Sequence, residues 1–87
     1  MGIDKIIHMI SNIAAEVFER PGIQLKLSDS ASNVKGWDSL TQVVLVAEIE
    51  KQFDVKFSFK DLASIITIGD IVDIIKTKTK ENLENEA

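Results

Sequence analysis

At 87 residues the chain has room for one small hydrophobic core, and that length argues against a multi-step enzyme. An apolar share of 45% and an aromatic share of 6%, with one proline and four glycines, leave few breaks and suit helices better than short strands. The absence of cysteine rules out disulfides, zinc–thiolate sites and a cysteine nucleophile, one histidine cannot build a metal site by itself, and a net charge of −4 argues against nucleic acid and for basic protein partners.

Any thiol chemistry must therefore come from a cofactor. The opening residues lack the basic start, apolar run and small-residue cleavage site of a signal peptide, and no apolar stretch approaches membrane-spanning length, so no membrane role and a cytoplasmic location are expected.

From Ile3 the apolar residues Ile6, Ile7, Ile10, Ile13, Ala14, Val17 and Phe18 follow the three-and-four spacing of one helical face. This first helix is expected to stop by Arg20, because Pro21 disfavours helical geometry in its predecessor and Gly22 follows. Residues 21–37 then read as a long loop, in which alternating Ile23, Leu25 and Leu27 drape the chain onto a core. A loop this long in a small domain serves something, and it leads into Asp38, Ser39 and Leu40.

A second helix is predicted from there to Phe53, with Asp38 as N-cap, its carboxylate accepting from first-turn amides, and Ser39 in the first helical position. At 100° per residue Leu45, Val46, Ile49 and Phe53 form its core face. Leu40, Val44 and Ala47 form a separate stripe flanked by Thr41, Glu48 and Lys51. Two readings of that stripe stay open: a partner-docking surface with an apolar centre and polar rim, or a face covered by the third helix or the long loop. Gln42 falls within the core face and needs a hydrogen-bond partner there, either at a pocket entrance or at the edge of the core.

Ser58 stands three residues before Asp61, and Thr67 three before Asp70, which marks two further helix starts with Asp in the usual place of Glu. The first opens a short helix from about Phe59 to Ile65. The second opens a helix carrying Ile68, Ile71, Val72, Ile74 and Ile75 and closing on Lys76, Lys78 and Lys80 at its negative end. The sum is an all-α fold of four helices in one domain over residues 1–80, with a frayed acidic tail over 81–87. His8 reads as a surface residue with no catalytic partner near it.

The segment Gly36, Trp37, Asp38, Ser39, Leu40, followed by Val43, Leu45, Val46, Ile49, Glu50 and Phe53, resembles the acyl carrier protein family around its modified serine. The resemblance spans nearly the whole chain and implies a four-helix bundle of the acyl carrier type, with a long loop between helices 1 and 2 and a short third helix. It implies no catalytic residue. A separate phosphopantetheinyl transferase would take phosphopantetheine from coenzyme A to Ser39, and acyl-loading and acyl-transferring enzymes would use the arm's thiol, in fatty-acid, polyketide or related synthesis. Asp38 would cap the helix and lie near the transferase's magnesium, and Leu40 would contact partner enzymes, with Thr41, Val44, Ala47 and Glu48 beside it.

A helix N-terminus, with its free amides and positive partial charge, suits an anion attached at Ser39. The bland alternative for Ser39 is an exposed residue in an ordinary first turn. Fatty-acid carriers place acidic residues where this chain has Thr41 and Val44, and Lys51 falls in a stretch that is typically acidic, so the expected docking face is more apolar than negative. Trp37 replaces a small residue and is either a packing anchor for the loop or a contact to the arm. The other readings are an amino-acyl carrier, peptidyl or D-alanyl, and an unmodified helical interaction module. The expected state is a monomer.

Overall fold

The computed structural model describes residues 2–86 of the chain, with side chains through residue 80. Four α-helices follow one another, α1 (Ile3–Val17), α2 (Ser39–Phe53), α3 (Phe59–Ser64) and α4 (Ile68–Glu86). Among the described residues there is no strand, and one isolated antiparallel bridge joins Ser30 to Thr67.

The apolar periodicity accounts for the packing. α1 lies against both α2 and α4. It buries Ile6, Ile10, Ile13 and Ala14, which meet Leu45, Val46, Ile49 and Phe53 of α2 and Ile68, Ile71, Val72 and Ile75 of α4 in one core. Each fully buried Ile or Leu adds about 1.5–3 kcal/mol by leaving water.

Helix ends follow local chemistry. α1 ends at Val17, ahead of Pro21, and Glu19 takes a left-handed φ of 54°. α2 ends where Asp54 turns left-handed at φ 53°, with the Val55 amide donating back to the Glu50 carbonyl at 3.1 Å. The Ser58–Asp61 box opens α3, each side chain accepting from the other residue's amide at 3.0 and 2.9 Å. α3 stops one residue short of the expected end because Ile65 turns extended and enters the core.

The fourth helix differs from expectation. Its lysines place its close near Lys80, but residues 81–86 hold no glycine or proline to stop it and their backbone continues α4 to Glu86. Ala87 lies outside the described residues. Lys76, Lys78 and Lys80 are therefore not in the last turn, and the helix dipole does not account for their placement. Lys78 instead pairs with Asp61 of α3 at 3.2 Å. That pair matters because no residue of α3 is fully buried and only Leu62 packs partly on the core.

The loop over residues 18–37 is draped as its apolar residues required. Leu25, Val34 and Trp37 are buried, and the Leu25 amide donates to the buried Ser11 hydroxyl at 3.0 Å. Asp29 holds the loop's shape, accepting from the Lys26 amide at 2.8 Å and from Asn33 Nδ2 at 2.9 Å. The carbonyls of Asp29 and Leu27 in turn accept from the first amides of α4, Ile68 and Gly69, each at 2.9 Å. Gly69 lets the two segments approach closely, since a Cβ there would come within 3.2 Å of the Leu27 oxygen, tighter than an ordinary contact.

Candidate functional site

The site begins with a sharp corner. Gly36 has φ 96°, a left-handed conformation natural to glycine, and a Cβ on it would meet Phe18 Cβ at 3.0 Å. The corner swings Trp37 inward. Its ring is 4% exposed, stacks on Phe18 with centroids 6.2 Å apart and planes 18° apart, and donates from Nε1 to Gln42 Oε1 at 2.9 Å. Of the two roles open for Trp37 the structure shows the packing anchor, and Gln42 sits half-buried at the edge of the core as its partner.

Asp38 follows in extended conformation and caps α2. Its Oδ1 accepts from the Leu40 amide at 2.9 Å and the Thr41 amide at 2.8 Å. The Thr41 hydroxyl accepts from the Asp38 amide at 2.9 Å and donates to the Gly36 carbonyl at 2.6 Å. The hydrogen bond from the Thr41 amide, the Thr41 hydroxyl and the Leu40 amide hold the Asp38 carboxyl below its ordinary 3.8, more than offsetting partial desolvation. Thr41, placed by sequence on the rim of a docking stripe, thus has its hydroxyl committed to the cap and tied back to the corner.

Ser39 is the first residue of α2 and is exposed. The arrangement differs in one respect from a first turn of free amides, because Asp38 already occupies those of Leu40 and Thr41 and the cap leaves that of Ser39. An anion attached to the serine oxygen therefore shares the positive helix end with a carboxylate, in contact with water where screening is effective. The residues present fit a covalent phosphodiester: an open hydroxyl, a helix N-terminus beneath it, and a corner rigidly held by Trp37 and Thr41.

Beyond Ser39 the outer face of α2 is open. Leu40 is 75% exposed, Val43 66% and Val44 47%, and Ala47 is exposed as well. Neither α3 nor the loop covers this stripe. Val43 was not assigned to it from sequence, although its place three residues after Leu40 and four before Ala47 was signal enough. Glu48, half-exposed, lies within 3.7 Å of Lys51 at the stripe's far end. Phe59 at the start of α3 and Ile66 in the connection to α4 are exposed too. His8 is exposed on α1, far in sequence from Ser39, and among the described residues no group of three or more His, Asp or Glu is placed to hold a metal.

Four helices, a long draped loop and an exposed serine at the start of α2 define a small carrier domain. Residues 9–75 match the family model described as the phosphopantetheine attachment site. Acyl carrier proteins of Clostridium acetobutylicum and Prochlorococcus marinus are similar to the chain, the first 26% identical over 87% of this chain and 99% of its own, the second 30% identical over 90% and 98%. The solution structure of the holo acyl carrier protein of Geobacter metallireducens superposes with a TM-score of 0.81 at 28% identity, covering 90% of each chain. The crystal structure of the Thermotoga maritima acyl carrier protein shares the fold, with a TM-score of 0.80 at 23% identity over 90% of this chain and 91% of that one. The chain belongs to the acyl carrier protein family, whose members are carriers and not enzymes and whose prosthetic group is phosphopantetheine. Membership implies dealings with modifying and acyl-handling enzymes. No helix among the described residues is long and apolar enough to cross a membrane.

Proposed function

We propose that Ser39 carries the phosphopantetheine arm and that the chain presents acyl groups on it as thioesters, in fatty-acid, polyketide or related biosynthesis. The observation that carries this reading is the exposed Ser39 hydroxyl at the first position of α2, directly after a cap that fixes its place. In the loading reaction the Ser39 oxygen takes phosphopantetheine from coenzyme A, the serine proton is lost and adenosine bisphosphate leaves. When attached, the arm supplies the thiol that the chain itself lacks.

This chain's residues hold the attachment point. Asp38 fixes the helix start through Oδ1, and among the described residues no hydrogen bond reaches its Oδ2, the oxygen suited to the transferase's magnesium. Leu40, Thr41, Val44, Ala47 and Glu48 make the partner-facing side, Thr41 through its place in the cap. The carrier works as a monomer, and in the cytoplasm, where a free thiol stays reduced.

The test is intact mass after incubation with coenzyme A and a broad-specificity phosphopantetheinyl transferase. The wild-type chain gains the mass of one phosphopantetheine and Ser39→Ala gains none. No gain by the wild type leaves the chain an unmodified helical interaction module and ends the proposal.

A further inference from the structure

From Ser30 to Ala47 the chain carries two charged side chains, Lys35 and Asp38, so the surroundings of Ser39 are otherwise neutral along the sequence. The Asp38 carboxylate is engaged in the cap and occupies the Leu40 and Thr41 amides. A phosphodiester on Ser39 therefore adds a negative charge beside one already present, at a helix end whose nearest donors are partly taken. Within α2 no cation answers it before Lys51, about three turns on and within 3.7 Å of Glu48.

Lys35 answers it from the loop. It is exposed and makes no ion pair among the described residues. It holds the second place of a tight turn, closed by the Trp37 amide donating to the Val34 carbonyl at 3.2 Å, with Gly36 third at its left-handed φ. The Thr41 hydroxyl donates to the Gly36 carbonyl at 2.6 Å and so fixes this turn beside the first turn of α2. Four residues cover at most about 14 Å when fully extended, and this turned segment covers less. A lysine ammonium about 6 Å from its Cα, a serine-borne phosphate oxygen about 5 Å from its own and a contact of about 3 Å span as much. Phe18, packed on Gly36, is followed by Glu19 and Arg20, exposed neighbours of opposite sign that bring no net charge to the corner.

We propose that Lys35 is the ionic partner of the phosphodiester on Ser39 and sets the root of the arm against the loop, off the outer face of α2. This rests on the carrier reading of Ser39. Lys35 acts as a positioning residue, with no part in the thioester chemistry.

The experiment treats the full chain, before and after loading with phosphopantetheine, with limiting acetic anhydride and reads the acetylation rate of each lysine by peptide mass mapping. Pairing at the strength of an exposed ion pair lowers the Lys35 rate about two- to fivefold on loading at low salt. The protection is lost at about 1 M sodium chloride, where the Debye length is about 3 Å. Lys5 on α1 and Lys76 on α4, both exposed, keep their rates. In the loaded chain Lys35→Gln shifts the phosphorus NMR resonance, Lys35→Arg returns it toward the wild-type position, and Arg20→Gln leaves it in place.

A Lys35 rate that loading leaves unchanged overturns the inference. Protection undiminished by salt does the same, because it reports the bulk of the arm and not its charge. So does a phosphorus resonance that follows Arg20 and not Lys35. A wild-type chain that gains no phosphopantetheine mass instead overturns the carrier reading beneath it.

Discussion

The indole of Trp37 ties the loop to α2 immediately before Ser39, and its bond to Gln42 is open to a double-mutant cycle. Trp37→Phe keeps a ring to stack on Phe18 but removes the Nε1 donor at 2.9 Å from Gln42 Oε1 and part of a ring that is 4% exposed. The lost hydrogen bond costs about 1 kcal/mol and the lost apolar area about another. Gln42 is half-buried, so water reaches its oxygen and limits the loss. Gln42→Ala acts differently. It strands a buried indole N–H, at about 1–3 kcal/mol, relieved by a few tenths through the better helix propensity of alanine. In the double variant the stranded donor is gone, so its destabilisation falls short of the sum of the singles by about 1 kcal/mol.

The assay is urea unfolding followed by ellipticity at the helical band, because Trp37 is the sole tryptophan and fluorescence disappears with it. For a domain of this size 1 kcal/mol moves the thermal midpoint by roughly 4–8 °C, well within resolution. Singles that add to the double within about 0.3 kcal/mol refute the claim that this bond anchors the loop.

Gly36→Ala is expected to destabilise by about 2 kcal/mol or more in the same assay, since it combines a left-handed backbone with a Cβ at 3.0 Å from that of Phe18. Lys78→Met should leave the global unfolding midpoint nearly unchanged yet speed amide exchange in α3, because the ion pair to Asp61 is that helix's polar tie to α4; unchanged exchange would show the pair to be incidental. Acid stability follows the carboxyls. Asp38, Asp61 and Asp70 are held low chiefly by backbone amides, and at Asp29 the upward push of burial is outweighed by Asn33 and Lys26. A depressed folded-state carboxyl stabilises above its unfolded value and loses that contribution as pH falls through the folded one, so the thermal midpoint is expected to be level at neutral pH and to decline below the ordinary 3.8.

Local signals in the sequence were sufficient for the helices. The caps at Asp38, Ser58 and Thr67 are short-range chemistry, and each opens a helix where its residues stand. The core face of α2 likewise follows from periodicity alone. What periodicity misses is contact between distant segments. The carbonyls of Leu27 and Asp29 at the start of α4, the Lys78–Asp61 pair and the stacking of Trp37 on Phe18 join residues many positions apart, and nothing in the local pattern announces them. The far end of α4 is set by the lack of a stop residue and not by the acidic composition that begins at Glu81. At the site the serine and its cap were legible. Whether the second stripe of α2 was covered was not, since that depends on where α3 comes to rest.

The loop carbonyls at the head of α4 have a practical consequence. The Ile68 and Gly69 amides are held by Asp29 and Leu27, not by the helix they begin, so their exchange with solvent reports when the loop lifts away from α4. Two backbone hydrogens thus become a gauge of loop opening that needs no label, and comparing them before and after loading of Ser39 would tell whether the carrier stiffens when it takes up its arm.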